Sequence, residues 1–264
     1  MKAKNILLIV VILGLMPFRI LAGFEVVGSL TNKYVAQKGE RYSATLKVRN
    51  IGDTEQEVKL YLRDYVFDYQ GASLYNEPGT LKRSNATWIQ YSPKTIFLKG
   101  NEIKDVLLEI NVPQGDSLSG TYWSVLMVEG VGQIDPSSKG QLSINESVRY
   151  AVQIITNIGK TGTGQLEFEN PGIVTDNNKT YFDFVLINTG ERLISPDVSM
   201  ELFDETTGNS LKLLKAPKNG MYPTTSTKWR FSMDGIPTGK NYKAIIVADG
   251  AGEDVFGLEY TIAL

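Results

Sequence analysis

From residue 42 onward the chain repeats one device: a short run in which every second residue is apolar, closed by a glycine, proline or asparagine turn. Residues 42–48 set Ala44, Leu46 and Val48 on one face, and residues 58–62 and 106–112 keep the same period. Residues 122–128 add a strongly apolar run rich in aromatic and β-branched side chains. Side chains alternate across a strand, so a two-residue period buries one face of a strand and would scatter around a helix. Turn residues punctuate the runs at Asn50-Ile51-Gly52-Asp53, Lys99-Gly100-Asn101 and Pro113-Gln114-Gly115. No stretch after residue 23 holds a capped 3.6-residue period. Short strands at regular spacing predict an all-β chain built as sandwiches.

The pattern occurs twice. Thr45-Leu46-Lys47-Val48 leads into Asn50-Ile51-Gly52-Asp53 and then a strand at 58–62. Residues 181–187 lead into Asn188-Thr189-Gly190-Glu191 and then a strand at 198–203. Val112-Pro113 precedes the 122–128 run as Ile236-Pro237 precedes 242–247. Two matched pairs in one order predict two tandem immunoglobulin-like β-sandwich domains of about 100 residues each. The segment with Gly159, Gly162 and Gly164 has little to bury and reads as a linker. The expected organisation is residues 24–157, a linker at 158–164, and residues 165–264. Residues 64–88 form a long insertion in the first domain, with turns at Asp68-Tyr69-Gln70-Gly71 and Glu77-Pro78-Gly79-Thr80.

Composition limits the chemistry. Among 264 residues there is no Cys and no His. That removes cysteine nucleophiles, Ser-His-Asp triads, disulfides and the usual zinc sites. Residues 1–23 read as a secretory signal peptide. Lys2 and Lys4 precede an apolar run at 6–16, too short to span a bilayer, and small residues follow at Ala22 and Gly23. Leu21-Ala22-Gly23 resembles the start of a lipobox, but Phe24 stands where a lipidated Cys would be. The expected product is exported, periplasmic or extracellular, soluble and not lipid-anchored, with no stable membrane insertion after cleavage. Removing Lys2, Lys4 and Arg19 from the 27 basic residues leaves 24 against 29 acidic, a net charge of −5. That balance argues against nucleic acid as a partner.

Residues 92–100, with Ser92-Pro93 and Leu98-Lys99-Gly100, the strand at 106–112, Pro113, and Gly120-Thr121-Tyr122-Trp123-Ser124-Val125-Leu126 together resemble the N-terminal domain of periplasmic pilus-assembly chaperones. More remotely the chain resembles the chaperone-like sandwiches of WxL-associated bacterial surface proteins. The chaperone resemblance implies two immunoglobulin-like domains set at an angle. It also implies that the last strand of the first domain, here residues 141–155, is lent to a protein subunit by strand addition. Leu142, Ile144, Val148, Tyr150, Val152 and Ile154 are its alternating apolar positions. The family anchors the subunit's terminal carboxylate with two basic residues in the interdomain cleft, and Lys33 and Arg149 fall near those positions. The expected partner-binding residues are therefore Lys33, Arg149, Leu142 and Ile144. Gly120 and Val125 replace a Glu and an Asn of the family signature. The insertion is a further departure.

Other constellations are weaker. Asp64 and Asp68 read as solvated acids on one strand face rather than a glycosidase pair. Asp249, Glu253 and Asp254 lack the alternate-residue spacing of a calcium loop. Trp88, Trp123 and Trp229 could line a sugar platform, but core packing fits Trp123 better. The expectation is an exported, non-enzymatic, chaperone-like protein without cofactor or metal that binds a pilin-like or other surface subunit. The alternatives are a structural or adhesive module of a surface assembly, and a carbohydrate-binding protein.

Overall fold

The computed structural model describes residues 23–71, 73–131 and 148–264. The signal segment up to residue 22, and Leu142 and Ile144 of the expected donor strand, lie outside them. The first sandwich comprises β1 (Phe24–Val27), β2 (Thr31–Ala36), β3 (Arg41–Asn50), β4 (Gln56–Phe67), β5 (Ser73–Asn76), β6 (Ile89–Ser92), β7 (Thr95–Leu98), β8 (Ile103–Asn111), β9 (Gly120–Gly130) and β10 (Arg149–Ile158), with a single 3-10 turn at Ala86–Trp88. One sheet has the order β1-β3-β8-β6. The other runs β2-β10-β9-β4-β5, with β7 beside the start of β4. The second sandwich comprises β11 (Leu166–Asp176), β12 (Lys179–Asn188), β13 (Asp197–Asp204), β14 (Ser210–Lys215), β15 (Ser226–Ser232), β16 (Asn241–Asp249) and β17 (Val255–Ala263). Its sheets are β11-β12-β15 and β14-β13-β16-β17. The chain is thus all-β, in two sandwiches.

Alternation builds each core. In β3 Leu46 and Val48 are buried while Thr45, Lys47 and Arg49 face water. Leu98, Val106, Ile110, Leu126 and Ile154 complete the first core. Phe182, Phe184, Met200, Leu202, Tyr242 and Ile246 form the second. The two Asn-x-Gly turns are built alike. Asn50 accepts from the Gly52 N–H at 2.9 Å and donates to the carbonyls of Thr54 and Leu98. Asn188 accepts from the Gly190 N–H at 3.0 Å and donates to the carbonyls of Arg192 and Met221. Each buried amide satisfies backbone groups that the turn would otherwise leave bare.

One expectation needs correction, and two other stretches gain detail. Asp64 is not a solvated acid: its exposure is 0%. It accepts hydrogen bonds from the N–H groups of Gly79 (3.1 Å) and Leu81 (2.7 Å) and from the Ser84 hydroxyl (2.5 Å). Buried charge is tolerated because these donors replace water. The glycine segment read as a linker packs closely on its neighbours. A Cβ on Gly162 would lie 2.6 Å from the Gly120 Cα, and one on Gly164 would lie 2.3 Å from an Asp254 carboxylate oxygen. Those glycines permit close approach between the sandwiches. Finally, the insertion starts inside a strand, because β4 runs unbroken through Asp64 to Phe67 before β5 folds back on it.

Candidate functional site: a bare strand edge and an interdomain cleft

The first strand segment changes sheets. β1 pairs with β3, whereas β2, only three residues on, pairs with β10 in the opposite sheet. The switch falls at Gly28, whose φ of +102° suits glycine. Its consequence lies on β10. That strand pairs with β9 along its whole length, but β2 covers it only from Gln153 to Ile158. The Gln153 N–H donates to the Leu30 carbonyl at 2.7 Å, and the Gly130 N–H donates to the Val148 carbonyl. Backbone groups alternate sides along a strand. The N–H and C=O of Arg149 and Ala151 therefore point away from β9, toward an edge that no strand of the described residues covers. Val148, 47% exposed, lies just before this stretch. Tyr150 turns inward, edge-on to Phe24 at 5.5 Å, and its hydroxyl donates to the Phe24 carbonyl.

Where β2 begins, a cavity of about 590 Å³ opens between the sandwiches. Thr31, Lys33, Gln153 and Ile155 form its wall in the first sandwich, and Ser195, Tyr222 and Lys228 form part of its wall in the second. Lys33 sits level with Ile155 in the β2–β10 register and makes no ion pair among the described residues. Lys228 is engaged by Asp183 at 3.2 Å. Tyr65, Phe67 and Tyr69 of the β4–β5 hairpin overhang the cavity.

The two expected anchors do not meet. Arg149 is half-exposed and faces Glu129 at 3.7 Å. It stands six residues along β10 from Ile155, the neighbour of Lys33, which is roughly 20 Å of extended chain. The register therefore places Lys33 and Arg149 at different points along β10. Glu129 also accepts from the Tyr61 hydroxyl, at 2.5 Å. Burial first, and then Glu129, pushes the Tyr61 phenol above its ordinary value.

A cluster around Trp123 closes the back of the cleft, with Tyr222, which the sequence did not single out, at its centre. Trp123, Ile155 and Tyr222 form a buried cluster between the sandwiches, with Tyr65, Phe67 and Leu193 packed on it. Trp123 and Tyr222 stack at 4.7 Å. The Tyr222 hydroxyl donates to the Gln153 side-chain oxygen at 2.5 Å, and burial, aided by Tyr65, raises its pKa well above the usual phenol range. The available signal was a lone aromatic flanked by Met221 and Pro223 outside the alternating runs. Trp88 and Trp229 are buried as well, so the three tryptophans form no exposed platform. Asp254 is held by Arg192 through both oxygens at 2.7 Å. The described residues contain no group of three or more metal-ligating side chains. They also contain no helix long and apolar enough to cross a membrane.

No protein-family model matches this chain, and no curated protein matches it. Solved structures do. A chain from the chaperone–tip adhesin complex of CFA/I fimbriae biogenesis is 12% identical at a TM-score of 0.50, covering 91% of this chain and 99% of that one. The class 5 fimbriae chaperone CfaA is 15% identical at a TM-score of 0.49, covering 92% and 100%. The CsuC–CsuE chaperone–tip adhesion subunit pre-assembly complex of Acinetobacter baumannii gives 15% and 0.46, covering 92% and 99%. The first of these likenesses shows the fold: two β-sandwiches in tandem.

Proposed function

We propose that this protein is an exported, non-enzymatic chaperone, a divergent relative of the pilus-assembly chaperones, that holds a pilin-like or other surface subunit by strand addition along β10. One observation carries the reading: among the described residues no strand covers the edge of β10 at Arg149 and Ala151, where β1 has left the sheet, and that stretch ends beside Lys33. An open row of backbone donors and acceptors is a template for another chain and a liability unless a partner covers it. A strand added there parallel to β10, in line with β2, would end against Thr31. Its terminal carboxylate would then enter the cleft beside the Lys33 ammonium, with no part for Arg149 in the anchor.

The test is co-purification from the extracytoplasmic fraction of the native host on the tagged chain, with the bound protein identified by mass spectrometry. The captured subunit is then purified with a free and with an amidated C-terminus. Tight binding of the free form, weakened alike by amidation and by Lys33→Ala, is the expected result. A subunit that binds equally well amidated, or equally well to Lys33→Ala, removes the carboxylate anchor from the reading. Capture of no protein at all overturns the chaperone role.

A further inference from the structure

We propose that the β4–β5 hairpin is a strap that fixes the angle between the two sandwiches, and with it the width of the cleft. The reading goes beyond partner binding and does not depend on it. A chain with a glycine-rich connection pivots about that connection unless a second contact stops it, since relative domain motion is the ordinary expectation. Here the connection is one point of attachment. The Thr121 N–H donates to the Glu191 carbonyl at 2.8 Å, the Leu193 N–H to the Thr121 hydroxyl at 2.9 Å, and Arg83 meets Glu191 at 2.9 Å. Tyr222, stacked on Trp123 at 4.7 Å and bonded to Gln153, supplies a second, and the hairpin braces that contact from outside. The Tyr69 N–H donates to the Ser226 hydroxyl on β15 at 3.1 Å. Phe67 and Tyr65 meet Tyr222 edge-on at 6.2 and 6.3 Å.

A two-stranded ribbon would be too soft to act as a strap on its own. This one is held from base to tip. Buried Asp64 ties its base to Gly79, Leu81 and Ser84. The Tyr65 carbonyl accepts from the Trp123 indole N–H at 2.7 Å. Tyr65 also stacks on Tyr75 across the hairpin at 5.3 Å. Two separated contacts between rigid bodies remove the rotation that one contact allows.

The absence of cysteine makes the test direct. Ser43→Cys on β3 and Lys215→Cys on β14, each spin-labelled, report the distance between sandwiches in the full chain without its partner. The parent is expected to show one narrow distance population. Phe67→Ser combined with Ser226→Ala, which leaves Tyr222 on Trp123 and Gln153, is expected to widen it about twofold. Neither residue belongs to the core of either sandwich, and circular dichroism checks the fold. Should that pair unfold, Phe67→Ser alone and Ser226→Ala, which removes only the acceptor for Tyr69, carry the same expectation. A broad population in the parent, or folded strap variants as narrow as the parent, overturns the strap. Because no partner is present, this outcome is separate from the fate of the chaperone reading.

Discussion

Ala151→Pro is the sharpest probe of the strand edge. In β10 the groups of Val148 face β9 and those of Gln153 face β2. By alternation the Ala151 N–H points away from β9 and serves no hydrogen bond among the described residues. Proline removes that donor, and edge positions are where a strand tolerates it. Folding stability should therefore change by less than about 1 kcal/mol. An added strand loses one ladder hydrogen bond, worth about 1 kcal/mol or about fivefold in affinity. It also meets the proline ring in the place of its own backbone, about 4.8 Å from β10, which brings the expected loss to about tenfold or more. Calorimetric titration with the purified subunit measures the affinity, and thermal unfolding measures the stability. Val152→Pro is the contrasting case, since it breaks the ladder to β9 and replaces a buried side chain. It should destabilise the first sandwich by about 3 kcal/mol. If folded Ala151→Pro binds the subunit as tightly as the parent, addition along this edge is wrong.

Other perturbations follow from the same contacts. Asp64→Ala takes the acceptor from the N–H groups of Gly79 and Leu81 and from the buried Ser84 hydroxyl and should cost about 3 kcal/mol in chemical denaturation, with Asp64→Asn intermediate. Gly120→Ala forces a Cβ to within 2.2 Å of the Glu191 carbonyl oxygen at a φ of +70°. It should cost about 2 kcal/mol or more and show in the melting temperature. Burial pushes the Asp183 carboxyl up, but hydrogen bonds from Arg230 and Lys228 outweigh it and hold the group below its ordinary value of 3.8. A depressed carboxylate contributes stability present above that value and lost as pH falls through the lower folded one. Acid titration of unfolding should show this loss in the parent and not in Asp183→Asn. Burial, against the Thr156 hydrogen bond, raises the Tyr42 phenol to about 12. Its contribution should be complete below pH 10 and fall away as pH rises toward 12, which tyrosinate absorbance measured alongside unfolding would follow.

The fold was legible because a sandwich is written in local terms. Alternation at Ala44, Leu46 and Val48 specifies a strand face whatever its partner, and Asn50 and Asn188 mark equivalent turns because both place a buried amide over a tight bend. The site was legible only in part. Lys33 reached the cleft because β2 is locked in register beside β10. Arg149 did not, because its place follows from how far along β10 that pairing begins, which neighbouring residues do not encode. Asp64 looked solvated because nothing near it in sequence reveals donors that arrive 15 to 20 residues later. Tyr222 carried only the weak signal of a lone aromatic beside Pro223, because its contacts belong to two domains at once.

The bare edge and the strap have a common logic. A chain segment that kept to one sheet would extend β2 backward over Val152 and Arg149 and close the edge. Gly28 lets the chain leave instead. A Cβ there would meet nothing within 4 Å, so φ rather than crowding explains the glycine. Leaving an edge open costs solubility, and a short open edge captures a partner chain only where geometry limits how that chain approaches. The cleft imposes that limit at one end, since a strand running along β10 must stop at Thr31. A cleft of variable width would relax the limit and let the incoming chain slide in register. The hairpin contact on Ser226 and Tyr222 and the sheet switch at Gly28 are therefore complementary: one opens the edge, and the other fixes the wall against which a chain end is registered.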